Sequence, residues 1–128
     1  MTAPLDGVIV LLVDGSEDRR HHLSVALHEA GAIAVTVGTA AGAVGMLEAL
    51  LCHVVVTDLQ LPDQEGGWLL EEIRKRRARL GPIPVIALTT EAPLPHRRSP
   101  RFACYLVQPV PAGTLIEAIA GVLPEERA

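Results

Sequence analysis

A rhythm in this chain limits its fold more than any other feature. Five short runs rich in Val, Ile and Leu recur, each separated from the next by a longer stretch. They are "VIVLLV" (8–13), "AIAVTV" (32–37), "HVVVTD" (53–58), "IPVIALTT" (83–90) and "ACYLV" (103–107). The clearest of them are apolar throughout, without alternation, which marks strands buried on both faces. Such strands, alternating with helices, build a parallel sheet covered on both sides, with right-handed crossovers. The expected class is therefore α/β.

The intervening stretches carry helix signals. Ser16 can cap a first helix, with Glu17 and Asp18 placed well against its dipole, and Gly31 ends it. Thr39 opens a second helix to about Leu51, weakened by Gly42 and Gly45 at about 1 kcal/mol each. A third is expected from about Gly67 to Leu80, stopped by Gly81 and Pro82. Between the fourth and fifth strands stand Pro93, Pro95 and Pro100, so a fourth helix there should be short or irregular. Pro111 suits the first turn of a last helix, whose apolar face is Leu115, Ile116, Ile119, Val122 and Leu123.

With 128 residues, 49% of them hydrophobic, the chain suffices for one domain over 1–128 with a core at about 7–123. Aromatics are 2%, so that core must be aliphatic. A net charge of -4 gives no footprint for nucleic acid. Cys52 and Cys104 do not form a disulfide framework. The N-terminus lacks the basic start of a secretion signal, and the run 8–13 is too short to span a bilayer. A reducing cytoplasmic setting without membrane contact is expected. His21, His22 and His28 read as a solvated face, and "RKRRARL" (74–80) as cations at a helix C-terminus. Trp68 covers the sheet or marks a partner site. There is no Gly-rich phosphate loop, Ser-His-Asp set or Cys-based metal motif, so an unrelated enzymatic function has no support.

In open parallel sheets, ligands bind beyond the carboxyl ends of the strands. Strand one ends at Asp14, strand three at Asp58, strand four at Thr89 and strand five at Gln108. Two carboxylates, a hydroxyl and an amide are expected to meet in one crevice.

At these residues the sequence resembles the receiver domain of two-component response regulators. "VVVTDLQLPDQEGGWLL" (54–70) carries the likeness best: Asp58, Leu61, Pro62, Asp63 and Gly66 fill the positions of the family's loop after strand three. "PVIALTT" (84–90) and "YLVQPV" (105–110) resemble its fourth and fifth strands. The resemblance implies a flavodoxin-like, doubly wound (βα)5 three-layer sandwich with strand order 2-1-3-4-5. It makes Asp58 the phosphoacceptor, taking a phosphoryl group from a sensor histidine kinase or phosphotransfer protein. It makes Thr89 and Tyr105 the phosphate-binding and switch pair, and the Gln108–Pro109 peptide cis. Gln60 and Glu91 match positions that tune dephosphorylation. No enzymatic output is implied beyond self-phosphorylation and dephosphorylation at Asp58. The family often pairs through the face of helix four, strand five and helix five, so a homodimer there is a further expectation. The chain is either a stand-alone regulator or part of a larger one such as a hybrid kinase.

Two positions depart from the pattern. Gly15 stands where the family has a second acid after strand one, and Gln108 where it has a lysine. A Mg2+ site would be left with Asp14, Asp58 and the backbone carbonyl of Gln60, and would be weak. Losing one acid and the lysine together should leave the crevice near charge balance. The reading is a receiver with weakened phosphorylation chemistry; the alternative is a phosphorylation-independent pseudo-receiver that works as a docking module.

Overall fold

The computed structural model describes residues 3–90 and 102–124. Five parallel strands, β1 (Ile9–Val13), β2 (Ile33–Val37), β3 (Val54–Asp58), β4 (Val85–Thr89) and β5 (Cys104–Val107), form one sheet in the order β2-β1-β3-β4-β5. The helices are α1 (Glu17–Glu29), α2 (Ala40–Ala49), α3 (Gly66–Lys75), α4 (Arg77–Leu80) and α5 (Ala112–Val122). The expected class, topology and strands are all present. The proline segment between β4 and β5, where a short or irregular helix was expected, lies outside the described residues, as does Glu91.

Both faces of the sheet are dry, which is why the strand sequences show no alternation. Val10 and Leu12 of β1 point into one core with Leu23 and Leu27 of α1 and Leu115 and Ile119 of α5. Leu11 and Val13 point into the other, with Leu47 of α2 and Leu69 and Ile73 of α3. Each fully buried side chain of this size contributes about 1.5–3 kcal/mol. Central β3 is buried along its whole length, whereas the edge strand β2 is half-buried or exposed at every position.

The caps follow the sequence closely. The Ser16 hydroxyl accepts the Arg19 N–H at 3.2 Å, and that of Thr39 accepts the Gly42 N–H at 2.9 Å. Gly31 ends α1 at φ +96°, where its N–H donates to the His28 carbonyl and the Ala32 N–H to that of Leu27. Pro111 sits one place earlier than expected, as the N-cap of α5.

The third helix differs from expectation, because it breaks at Arg76. The Arg76 N–H bonds back to Ile73 rather than Glu72, and its guanidinium takes the Glu72 carbonyl at 2.8 Å instead. The same side chain reaches Glu48 of α2 at 2.7 Å, and Arg79 reaches Glu48 at 2.6 Å. Arg76 and Arg79 of the basic run therefore tie α3 and α4 to α2, while Arg74 and Lys75 pair with Glu71 and Glu72 within α3. His21, His22 and His28 are exposed, and Trp68 is 37% exposed.

Candidate functional site

The strand registers bring the four end residues together at the carboxyl edge of the sheet. Val13 lies opposite Thr57, Asp58 opposite Leu88, and Thr89 opposite Val107. Asp14 directly follows β1, where its N–H continues the ladder to Val37. Gln108 directly follows β5, and its N–H donates to the Thr89 carbonyl at 2.7 Å. Asp14 is fully buried; Asp58 and Thr89 are 8% and 7% exposed. Two carboxylates this far from water need partners, because burying an unpaired charge is costly.

The partner is Arg19. Its Nε and Nη2 donate to the two oxygens of Asp14 at 2.9 and 2.8 Å, a fork-to-fork pair. The same Nη2 donates to Oδ2 of Asp58 at 3.2 Å. Asp14 Oδ1 also accepts the Ser16 N–H at 2.9 Å, and Asp58 Oδ1 accepts the Gln60 N–H at 3.2 Å. The Ser16 cap starts α1 two residues after Asp14, so Arg19 falls in the first helical turn above the strand ends. The carboxylate of Asp14, by hydrogen bond and charge, raises the already high Arg19 pKa. Burial pushes the Asp58 carboxyl above its ordinary value, with repulsion from Asp14 adding to this; the Gln60 N–H and Arg19 work against it.

Sequence reasoning missed Arg19. The loss of one acid and the lysine does not by itself balance the crevice, since Asp14 and Asp58 would remain with no cation. Arg19 supplies the charge from α1. The readable clue was the count of acids against bases. Glu17 and Asp18, in the same helical turn, are exposed.

The surroundings explain the other positions. A Cβ at Gly15 would stand 3.1 Å from Cδ and 3.3 Å from Cγ of Pro62, so glycine lets the loop after β3 close over the end of β1. Asp63 in that loop accepts the N–H groups of Ala40 and Ala41 at 2.8 and 3.0 Å, which ties the loop to the start of α2. Those two bonds hold the Asp63 carboxyl below its ordinary value. Gln60 is exposed and bridges back to Glu65. Tyr105 packs edge-on against Phe102, with ring centroids 5.4 Å apart. The Gln108–Pro109 peptide is cis. The buried Nε2 of Gln108 has no hydrogen-bond partner among the described residues.

Mg2+ requires near-octahedral oxygen ligands, with one or two carboxylates free to face it. As arranged, both carboxylates face a guanidinium, and no cluster of three acidic, His or Cys side chains suited to a metal occurs among the described residues. The donor set in this arrangement does not suit a divalent ion.

This architecture is widely shared. The chemotaxis response regulator CheY4 of Vibrio cholerae, crystallized at low pH, is 25% identical with a TM-score of 0.80, covering 91% of this chain and 99% of that one. The receiver domain of a sensor histidine kinase from Pseudomonas aeruginosa, solved with magnesium coordinated in its active site cleft, is 25% identical with a TM-score of 0.76, covering 90% and 98%. An uncharacterized 14.6 kDa protein of Leptolyngbya boryana is 31% identical over 113 residues, 86% of each chain. The family profile described as the response regulator receiver domain matches residues 10–120. With the sheet order, the acidic strand ends and that match in agreement, the chain belongs to the response regulator receiver domain family.

Proposed function

We propose that this receiver domain takes a phosphoryl group on Asp58 from a sensor histidine kinase or a phosphotransfer protein, at a site weaker than the family's usual one. The observation that carries the reading is the position of Asp58: the last residue of the central strand, 8% exposed, beside Asp14 at the carboxyl edge of the sheet. Its carboxylate oxygen would attack phosphorus, forming the acyl phosphate as the P–N bond to the donor imidazole breaks and its electron pair returns to nitrogen. Catalysis of such a transfer is mostly positioning and neutralisation of charge. Thr89 ends β4, next to β3, and the buried amide of Gln108 follows β5, one strand further out; both are suited to receive phosphoryl oxygens. Gln108 is a neutral donor, and a charge-assisted bond is roughly twice as strong. With Gly15 supplying no second acid, help from Mg2+ is weak in this reading.

Tyr105 and the edge strand β5 form the output side of this reading, and Gln60 and Glu91 set the lifetime of the acyl phosphate. Self-association through β5 and α5 is part of the same proposal. The setting is cytoplasmic; no helix among the described residues is long and apolar enough to cross a membrane.

The test is intact mass after exposure to a small phosphoryl donor and to a phosphorylated phosphotransfer protein, each with and without Mg2+. A gain of one phosphoryl group that disappears in Asp58→Asn is the expected result. Silence under every condition would refute the proposal and leave a docking module that does not use phosphorylation.

A further inference from the structure

The crevice holds two buried carboxylates and one guanidinium, and the hydrogen bonds of that guanidinium among the described residues all go to those carboxylates. Arg19 spends three of its five N–H donors on Asp14 and Asp58, at 2.8 to 3.2 Å. No other Lys or Arg among the described residues ion-pairs with either acid. Arg20, its neighbour, donates to the backbone carbonyl of Asp14 at 2.7 Å and helps fix the strand end. The two donors of Arg19 Nη1 have no partner among the described residues, and the side chain is 44% exposed.

The geometry is specific. Arginine matches a carboxylate with two parallel bonds, which a lysine or a hydrated metal ion does not reproduce. Both oxygens of Asp14 and Oδ2 of Asp58, which a divalent ion would need, already accept from Arg19. Gly15 and Arg19 are also complementary. A second acid beside Asp14 would set three carboxylates against one guanidinium in place of two, and would crowd Pro62 as well.

We propose that Arg19 is the resident cation of this crevice, bridging Asp14 and Asp58 in place of a divalent metal, so that Mg2+ enters only by displacing it. This explains the weak metal dependence in the proposed function. It rests on that reading only for its consequence at Asp58, not for the displacement itself. If Asp58 is the phosphoacceptor, the cation that meets the incoming phosphoryl group is Arg19, and its two outer N–H groups are the donors already in place.

The experiment is a Mg2+ titration of the full chain, followed by calorimetry and by 15N chemical shifts at Asp14, Asp58 and Gln60. Wild type should show no saturable binding at millimolar Mg2+. Arg19→Gln, which removes the charge and keeps hydrogen-bonding capacity, should bind at least about tenfold more tightly. Arg19→Lys keeps the charge and should stay weak. Equal Mg2+ affinity in wild type and a folded Arg19→Gln would overturn the proposal. Should Arg19→Gln not fold, the Arg19 Nε–H resonance of wild type decides: it should be protected from exchange and insensitive to millimolar Mg2+, and its loss on adding Mg2+ at low concentration would overturn the proposal. No arm uses phosphorylation, so a chain that never accepts a phosphoryl group would refute the proposed function and leave this inference to be judged by Mg2+ alone.

Discussion

A methyl group added at Gly66 has no room. Its Cβ would lie 2.8 Å from the Asp58 carbonyl oxygen and 3.0 Å from the Cα of Leu59, both backbone atoms that no side-chain rotation can move. The Gly66 N–H donates to the Leu59 carbonyl at 2.8 Å, so the glycine cannot retreat without losing that bond. Overpacking of this kind costs about 1–3 kcal/mol. Alanine's helix preference over glycine returns at most about 1 kcal/mol, and less in a first turn. Gly66→Ala should therefore destabilise the domain by about 1–2 kcal/mol. Gly67, the next residue of α3, has nothing within 4 Å of the same added atom. Gly67→Ala should stabilise by about 0.5–1 kcal/mol, because it only gains helix preference and loses chain entropy when unfolded. Two identical substitutions, one residue apart, should thus move stability in opposite directions. Urea unfolding measures the difference, and heating should show it as a gap of roughly 5–12 °C between the two midpoints. Equal shifts, or a Gly66→Ala variant more stable than wild type, would refute the packing argument. The clash presses on Asp58 itself, so the same variant should also perturb the backbone resonances of Asp58 and Leu59.

Other outcomes follow from the site and the core. Asp58 has its carboxyl raised above the ordinary 3.8, first by burial. A raised folded-state value means its favourable contribution is complete below 3.8 and is lost as pH climbs through the folded value. Asp58→Asn should therefore gain stability over wild type at neutral pH, with the gain shrinking to nothing under acid conditions; a gain that grows on acidification would contradict the assignment. Asp63 is shifted the other way, by the N–H groups of Ala40 and Ala41, so its contribution is present above 3.8 and fades as pH falls through the lowered value. In Asp63→Ala, amide exchange at Ala40 and Ala41 should accelerate selectively, and unchanged exchange would rule out the clamp. Burial pushes the Cys52 thiol up to about 11, so iodoacetamide at neutral pH should modify the partly exposed Cys104 first and Cys52 only on unfolding, as peptide mass mapping would show.

Much of the fold was legible because burial on both faces erases alternation, and uniformly apolar runs such as Val54–Val56 are hard to read any other way. The caps were legible too, since Ser16, Thr39 and Gly31 act within a few residues of themselves. The break at Arg76 was not, because it depends on a side chain reaching Glu48 on another helix. Nor was the clamp from Asp63 to Ala40 and Ala41, residues more than 20 positions apart. Arg19 falls between these cases. Its contact with Asp14 is local, five residues along the chain, but the departures at Gly15 and Gln108 framed the question as one of lost ligands. Counting net charge among buried groups would have asked for a base, and the first turn of α1 offers one.

The bridge over Asp14 and Asp58 also differs from a bound ion in how it is supplied. A dissociable ion must be drawn from solvent, and its occupancy follows its concentration and every competing chelator. A group anchored on the adjacent helix has a local concentration set by chain geometry alone, millimolar or higher for short tethers. Occupancy then becomes a mechanical variable. Whatever tilts or unwinds the start of α1 changes the electrostatic load on Asp58, even if it never touches that residue.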